Sequence, residues 1–460
     1  MNGTTKAERR ESRIFDEFAE VTRVLMHFFP GLAEKLNDMD DPRSGPCNYT
    51  QAVLILMIIM KNICSIVSMR QMNEAFNDEN AIFNLGFLAG CKLEEMPDWQ
   101  TANNYLMRLD DSQLQSILTD MISTLIRSKT FNMYRFDNQC WKVIIDGTGY
   151  AYFKERHCEH DLVVKRKDPE TGKERLYFYH KVLEAKIILS PDVVISLGTE
   201  FIENESADVS KQDCEQRAAQ RLLARIKGNH PRLPIVILAD SLYATMPFME
   251  LCRKNGWHYI LNLKSGSQKN LYEDFSLLLE KGIEGEDYVK VMNAAKENGT
   301  AYYVNNVHLI TGKPEICNIL KYVFTYKEEE NGQLVEKTKQ FVWVSDITLN
   351  VKIVSSFINT ARSRWDIEES FRRQKKGIFR IEHLCSKDPN GMKIHYILTQ
   401  FADLIMQLAR AFSKNLASCG LSVSGLASKI KGFFTLKSLT EEAIEYIRAK
   451  SALHYYGAIE

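Results

Sequence analysis

The chain has 460 residues, with 59 lysines and arginines against 59 aspartates and glutamates, so its formal net charge is zero. A hydrophobic share of 45% and a charged share of 26% are typical of a globular protein with a large core and room for two to four domains. The longest apolar run, Ala52–Met60, is about half the length of a membrane helix, and ten scattered cysteines without a C-x2-C pair exclude a disulfide scaffold. We therefore expect a cytoplasmic protein with reduced thiols and no membrane partner, since the charged N-terminus also lacks a signal-peptide core.

Residues 1–135 are predicted to be helical. Phe15–Phe29 has helical spacing, Gln51–Ile66 reads as a buried helix, and Thr101–Ser128 is amphipathic. Pro97-Asp98 is typical of a helix start. The residues of this region show no clear turn signature of a helix-turn-helix, so a plain helical packing domain is one interpretation of it.

Two short apolar runs each end in an aspartate. Lys142–Ile145 precedes Asp146, and Leu233–Ala239 precedes Asp240. Continuous apolar runs predict strands covered on both faces, as in α/β sheets, where functional sites lie at the carboxyl ends of strands. An aspartate after a strand is also a common helix N-cap, so for either residue alone capping and catalysis are about equally supported.

Between the aspartates we predict two strands, Leu176–Leu183 and Val193–Leu197, and a helix over residues 208–227. His180 lies in an aromatic strand, where a histidine is usually a hydrogen-bonded core or rim residue. His157-Cys158-Glu159-His160 is the one dense group of soft metal ligands. Because it has no distant partner pair, a polar loop is favoured over a zinc site.

A β-rich insertion is predicted over residues 265–340. Its strand-like runs are Tyr288–Met292, Ala301–Ile310 and Ile319–Tyr326. The dipeptides Asn298-Gly299 and Asn331-Gly332 mark turns between strands. Beyond it, Met392–Phe412 is a strongly amphipathic helix, and the chain to residue 460 also has helical spacing.

Arg364, Glu368 and Lys375 follow the spacing R-x3-E-x6-K. On a helix these residues and Arg372 fall within about 80° of one another, so three cations flank one carboxylate. Residues 361–376 hold six lysines and arginines against three acids, and Lys165-Arg166-Lys167 is a second basic spot in a chain whose net charge does not favour DNA. Taken alone, a solvated helix face with i,i+4 ion pairs is the commoner arrangement.

The three acids Asp146, Asp240 and Glu368 are more specific together. Carboxylates are the hard oxygen ligands that Mg²⁺ prefers. Two such ions about 4 Å apart can stabilise the attacking and leaving oxygens of an in-line phosphoryl displacement. This is the chemistry of nucleases, polymerases and strand-transfer enzymes.

At these residues the chain resembles the bacterial insertion-sequence transposases of the DDE class, in the branch with the signature Y-x2-R-x3-E-x6-K. Arg364, Glu368 and Lys375 match that signature, and Trp365 follows the arginine as is common in the family. The signature tyrosine falls at Ala361, so binding of the DNA end is expected to be weaker or differently organised. Asp240 and Tyr243 resemble the second motif.

The resemblance implies an α/β fold, an RNase H-like mixed sheet flanked by helices, with a β-rich insertion and helical N- and C-terminal regions. It implies that Asp146, Asp240 and Glu368 are the catalytic residues and hold two Mg²⁺ ions, for which Mn²⁺ can substitute. The DNA contacts it implies are Arg364, Trp365, Arg372, Lys375 and Tyr243.

The predicted regions are residues 1–135 (helical, with DNA-end binding as one alternative), 136–264 (first part of the catalytic core), 265–340 (β-rich insertion), 341–412 (second part of the core) and 413–460 (helical). The expected function is Mg²⁺-dependent strand cleavage at element ends and strand transfer into target DNA. Expected partners are double-stranded DNA, as terminal inverted repeats and target, and a second copy of the chain in the synaptic complex, at the bacterial nucleoid when DNA is bound. The alternatives are a transposase-derived DNA-binding protein without cleavage activity and a metal-dependent phosphoesterase acting on a small substrate.

Overall fold

The computed structural model describes residues 16–167, 172–308, 315–330, 333–449 and 452–457. Within these ranges a ten-stranded mixed sheet is flanked by helices on both faces. The fold class predicted from the sequence, an RNase H-like α/β sheet with helical terminal regions, is confirmed.

The strands follow one another with few interruptions in the middle of the chain. They are β1 (Trp141–Phe153), β2 (Leu162–Lys167), β3 (Glu174–Ser190), β4 (Val193–Ile202), β5 (Ile235–Ala239), β6 (His258–Asn262), β7 (Val289–Ala294), β8 (Gly299–His308), β9 (Ile316–Glu330) and β10 (Gln333–Ser345).

The spatial order of the sheet is β2-β3-β1-β5-β6-β10-β9-β8-β7, with β4 also paired to β3. The pairs β1–β5 and β5–β6 are parallel, and the other pairs are antiparallel. Parallel pairing of the first part of β1 with β5 places Asp146, in the middle of β1, beside Asp240, which directly follows β5. The strands of the predicted insertion are continuous with the core, because β10 pairs with β6 on one side and with β9 on the other.

Helices precede, interrupt and follow the sheet. They are α1 (Glu17–Phe28), α2 (Leu32–Asn37), α3 (Gln51–Ile63), α4 (Met69–Phe76), α5 (Glu79–Ala89), α6 (Trp99–Leu106), α7 (Asp111–Arg127), α8 (Glu215–Asn229), α9 (Met246–Lys254), α10 (Lys269–Lys281), α11 (Val354–Arg362), α12 (Asp366–Lys376), α13 (Pro389–Phe412), α14 (Lys414–Ser418), α15 (Val423–Leu436) and α16 (Glu441–Arg448). No helix in the described part of the chain has the length and apolar character needed to cross a membrane.

Side-chain alternation along β1 divides the core into two layers. Val143 and Ile145 pack into the larger layer with the terminal helices, α8 and α9. Ile144 packs into the smaller layer with α11 and α12. Because side chains alternate along a strand, Asp146 belongs to the face that α11 and α12 cover.

Helix α1 packs against α13, α15 and α16, which come from the other end of the chain. Phe18 contacts Phe434 edge to face at 5.2 Å between ring centroids. The fully buried carboxylate of Glu20 accepts hydrogen bonds from Ser413 at 2.7 Å and Tyr446 at 2.7 Å. The two terminal regions therefore form one helical layer.

Several elements differ from the sequence prediction. Thr101–Ser128 is two helices, because Asp110 caps α7 and breaks the amphipathic run. The segment 265–340 begins with helix α10 before its strands, and strand β2 lies in a stretch that was not predicted. The Asn298-Gly299 turn is present, with Asn298 at a φ of 52°. The Asn331-Gly332 turn lies outside the described residues.

The substitution His395→Leu is expected to reduce the pH dependence of stability. Burial lowers the pKa of His395 to about 3, and the charge of Lys61 acts in the same direction. The folded protein keeps this imidazole neutral, whereas the unfolded chain protonates it near pH 6.5. Protons therefore favour unfolding as the pH falls from 6.5 toward 3, and that loss of stability disappears in the variant.

Leucine matches the volume of histidine, and Nε2 of His395 has no hydrogen-bond partner among the described residues. The variant should therefore lie within about 1.5 kcal/mol of wild type near neutral pH. Between neutral pH and about pH 5, the unfolding free energy of the variant minus that of wild type should increase by about 2 kcal/mol. Urea unfolding at both pH values measures this, and an equal pH response in the two proteins would contradict it.

Candidate active site

Two aspartates lie side by side on neighbouring strands, although β1 continues past its aspartate to Phe153, contrary to the predicted short strand. Asp146 is in β1 and Asp240 directly follows β5. The last pair in the parallel register is Ile144 with Leu238, so Asp146 and Asp240, each two residues further on, occupy equivalent positions. Neighbouring strands are about 4.8 Å apart, which puts both carboxylates within reach of a shared cation.

Asp240 also caps the short 3-10 helix Ser241–Tyr243. Its Oδ1 accepts a hydrogen bond from the Leu242 backbone N–H at 2.8 Å. The sequence left capping and a site role as alternatives, and the geometry allows Asp240 to do both. Its other carboxylate oxygen is not needed for the cap.

The third acid is brought to the same edge by Arg364. This residue lies in the 3-10 turn Ser363–Trp365 between α11 and α12, and its side chain is 9% exposed. Nη2 donates to Oε1 of Glu368 at 2.6 Å, while Nη1 lies 3.9 Å from Oδ2 of Asp146. One buried guanidinium therefore holds Asp146 and Glu368 near each other, with Asp240 on the adjacent strand.

A fourth carboxylate, Glu215, approaches Asp146 from the opposite face of the sheet. It is the first residue of α8, and it accepts hydrogen bonds from Tyr243 at 2.9 Å and from Lys181. A Cβ atom at position 147 would lie 2.6 Å from the Glu215 carboxyl carbon, so Gly147 is required for this close approach. Sequence reasoning missed Glu215, and the glycine directly after Asp146 is the signal that could have pointed to a close neighbour.

The residues expected to contact DNA lie in different environments. Tyr243 is buried and donates its hydroxyl to Glu215, so this structure does not present it to DNA, contrary to expectation. Arg372 is exposed but directs its guanidinium to Glu369. Lys375 lies 3.5 Å from Glu382. Trp365 is 54% exposed beside Arg364, where it is available to a ligand.

Comparison with known families agrees with this geometry. The family model of the transposase DDE domain matches residues 143–402, more than half of the chain. The chain belongs to the transposase DDE domain family. No curated protein matches its sequence. The predicted DDE transposase resemblance is thereby confirmed, while a bacterial insertion-sequence origin stays a prediction.

Transposases of this family normally use a divalent metal. The carboxylates of Asp146, Asp240 and Glu368 are hard oxygen donors of the kind that suit Mg²⁺. Burial raises the pKa of Asp146 to about 6, and the negative charges of Glu215 and Asp240 act in the same direction. A site in which acids repel one another is stabilised by a cation, so the residues present fit such an ion.

Ala361 of this transposase, which stands where the signature has tyrosine, is buried in α11. It is 4% exposed and packs in the smaller core layer with Phe357 and Ile358. The position therefore faces the core and not a DNA-binding surface. A tyrosine could be accommodated there only if its neighbours moved.

An open groove of about 1080 Å³ runs along α11 to Trp365 and Asp366. Its lining includes six basic side chains and two acidic ones, Glu297 and Asp366; the basic residues are Arg135, Lys142, Lys296, Lys339, Lys352 and Arg362. We call it the basic groove. The transposase has no net charge, so this separation of charges gives it a local positive surface beside the acidic cluster.

The substitution Arg364→Met is expected to destabilise the folded protein. It removes a buried cation and leaves Asp146 and Glu368 without their shared partner, which should lower the unfolding free energy by about 1–3 kcal/mol. Arg372→Met is the matched control, because Arg372 also pairs with a glutamate of α12 but is exposed. It should leave the free energy of unfolding close to that of the wild-type protein, because exposed ion pairs contribute little.

Denaturant unfolding without divalent cations measures both changes. Equal changes in the two variants would show that Arg364 does not hold the carboxylates together in solution.

Proposed function

We propose that this transposase cleaves DNA strands at the ends of a mobile element and joins them to target DNA, with Asp146, Asp240 and Glu368 as its catalytic carboxylates. The observation that carries the proposal is the contact of one guanidinium, that of Arg364, with both Asp146 and Glu368 beside the strand that ends in Asp240. Three acids from distant parts of the chain converge at one sheet edge. Family membership supports the same chemistry.

Asp146, Asp240 and Glu368 would hold two Mg²⁺ ions, for which Mn²⁺ can substitute. Bound there, such ions supply charge stabilisation for the attacking and leaving oxygens of phosphoryl transfer. The side chain of Arg364 can move only if it gives up its contacts with Asp146 and Glu368. In the absence of DNA it therefore holds these two acids in place. Once cations neutralise those acids, its guanidinium can turn to a DNA phosphate, which it can bind through two N–H groups.

The basic groove supports a polymeric substrate. Phosphate contacts from lysine and arginine dominate the affinity of proteins for DNA. A phosphoesterase for a small substrate would need an enclosed pocket, whereas the groove that reaches Trp365, the residue after Arg364, is open. Exposed Trp365 lies at the end of the groove nearest the acids and can stack on a base at a DNA end.

The proposed partners are the terminal inverted repeats and the target DNA, with two copies of the chain present when two ends are joined. A dimer supplies two active sites to two DNA ends, which is why strand transfer of both ends calls for one. Binding of DNA ends by residues 1–135, the boundaries of the five predicted regions and association with the nucleoid are parts of the same proposal.

Glu368→Gln is expected to reduce metal-dependent strand cleavage by at least about a hundredfold, the scale on which a single electrostatic stabiliser of a transition state counts. The amide keeps the size of the side chain and its place on α12 but removes the charge. The assay is nicking of a supercoiled plasmid that carries the DNA flanking the reading frame, in Mg²⁺ and in Mn²⁺.

Glu369→Gln is the matched control, because this glutamate is adjacent, exposed and paired only with Arg372 among the described contacts. It should cleave like wild type. Full activity of Glu368→Gln would remove this glutamate from the catalytic set, and the absence of cleavage in the wild-type protein would favour the DNA-binding alternative.

Lys339→Gln combined with Lys352→Gln is expected to weaken DNA binding. Both lysines line the basic groove and are exposed. Loss of two phosphate contacts should lower the slope of log affinity against log salt by about 1.8, since each contact contributes about 0.9. The control is Lys92→Gln with Lys254→Gln, two exposed lysines outside the groove.

Fluorescence anisotropy with labelled duplex at several salt concentrations gives both slopes. If the groove pair and the control pair shift the slope equally, DNA does not lie in the groove.

A further inference from the structure

A second cluster of metal-binding side chains lies at the far end of β1, in the loop between β1 and β2. Cys158 and Asp161 belong to this loop, and His180 lies on β3 where it pairs with Ala151 of β1. Ala151 is five residues beyond Asp146, or about 16 Å along the strand. The cluster is therefore separate from the carboxylates of the active site.

The three side chains converge on one point. Sγ of Cys158 lies 3.8 Å from Nε2 of His180 and 3.5 Å from Oδ1 of Asp161. Nε2 of His180 lies 2.9 Å from the same Oδ1. One thiol, one imidazole nitrogen and one carboxylate oxygen thus stand within 4.8 Å of one another, at separations that suit a shared tetrahedral ion.

The cluster is enclosed by protein. Asp161 is 0% exposed and His180 is 1% exposed. The nearby ammonium of Lys393 is engaged by Glu203. Oδ2 of Asp161 accepts hydrogen bonds from the backbone N–H groups of His157 and Cys158, so the loop already holds this carboxylate in place. A buried carboxylate is costly unless a positive group or a metal ion balances it.

A catalytic Cys-His-Asp triad does not fit this geometry. In a triad the nucleophile and the acid take opposite nitrogens of the imidazole, because one nitrogen accepts the proton while the other is oriented. Here the thiol and the carboxylate both lie at Nε2, and Nδ1 of His180 has no hydrogen-bond partner among the described residues. The thiol, the carboxylate and Nε2 face one another, as the ligands of a single metal ion do.

We infer that Cys158, Asp161 and His180 bind one zinc ion, with a fourth position open to water. A sulfur, a nitrogen and an oxygen donor together suit Zn²⁺, whereas Mg²⁺ takes oxygen ligands. On binding, the thiol releases its proton to solvent, and the proton on Nε2 of His180 is carried by Nδ1 instead, so one proton leaves per ion.

The ion would stabilise structure. It joins the β1–β2 loop to β3 at the base of the two-stranded ribbon β2–β3, which carries the basic residues Lys165, Arg166 and Lys167. The same loop is tied to the segment before α13 by a hydrogen bond between His157 and the Lys387 carbonyl at 2.5 Å. A bound ion therefore fixes the ribbon relative to the region that follows the active-site helix α12.

The test uses the full chain, purified without a histidine tag, and Co²⁺ as a spectroscopic substitute for Zn²⁺. In excess Mg²⁺, which keeps the carboxylate site supplied, wild-type protein should bind about one equivalent of Co²⁺ and show a thiolate-to-cobalt charge-transfer band that Zn²⁺ abolishes. Cys158→Ser should lose the band and at least about tenfold of metal affinity. Cys419→Ser, another partly exposed cysteine, should match wild type.

A second measurement does not depend on the variants folding. A zinc-selective chelator added in excess Mg²⁺ should lower the thermal midpoint of wild-type protein that was purified with its metal, while the carboxylate site stays supplied with Mg²⁺. No charge-transfer band in the wild-type protein, or a band that persists in Cys158→Ser, would overturn the inference and leave the cluster as a neutral hydrogen-bonded group. Loss of plasmid nicking by itself bears only on the proposed function, so the two failures are distinguishable.

Discussion

An ion pair between the partly exposed Arg373 and the buried Asp403 fastens α12 to α13, and the site depends on this attachment. Arg373 donates to both carboxylate oxygens at 3.0 Å, and Gln374 donates to Oδ2 at 2.8 Å. On another side of α12, Ile367 and Phe371 pack into the smaller core layer. Polar contacts with α13 and apolar contacts with the core therefore hold α12 on two sides, next to the turn that carries Arg364.

The chain of this transposase is neutral as a whole, but its acidic and basic side chains are concentrated in different places. Acids gather beside the carboxyl end of β5, where Glu215 and Asp240 add to the burial that raises the pKa of Asp146 in β1. Cations line the neighbouring basic groove. Groups of opposite charge therefore lie in separate parts of the structure, and the neutral net charge conceals both of them.

The sequence predicted the elements whose signals are local. The apolar runs before Asp146 and Asp240 are strands, and the amphipathic Met392–Phe412 lies within α13, because periodicity and apolar length determine such elements directly. The convergence of the acids was predicted from family resemblance, and the parallel register of β1 and β5 supplies its physical basis.

What the sequence did not reveal depends on contacts between distant segments. Glu215 reaches the site across the sheet, through a gap that only Gly147 leaves. His157-Cys158-Glu159-His160 was predicted to be a polar loop for want of distant ligands, yet antiparallel pairing brings His180 to Cys158, and Asp161 follows the loop. Tyr243 looked like a DNA contact, but packing buries it beneath Glu215. Such placements follow from tertiary register, which local patterns do not encode.

The interlocking of the two chain termini has a consequence for biosynthesis. Helix α1 leaves the ribosome early, but its partners α13, α15 and α16 lie near the other end of the chain. The carboxylate of Glu20 cannot find its final neighbours until Ser413 and Tyr446 have been made, 393 and 426 residues later. A nascent chain therefore leaves the apolar face of α1 uncovered while the sheet and the intervening helices are made, a stage at which exposed apolar surface favours aggregation.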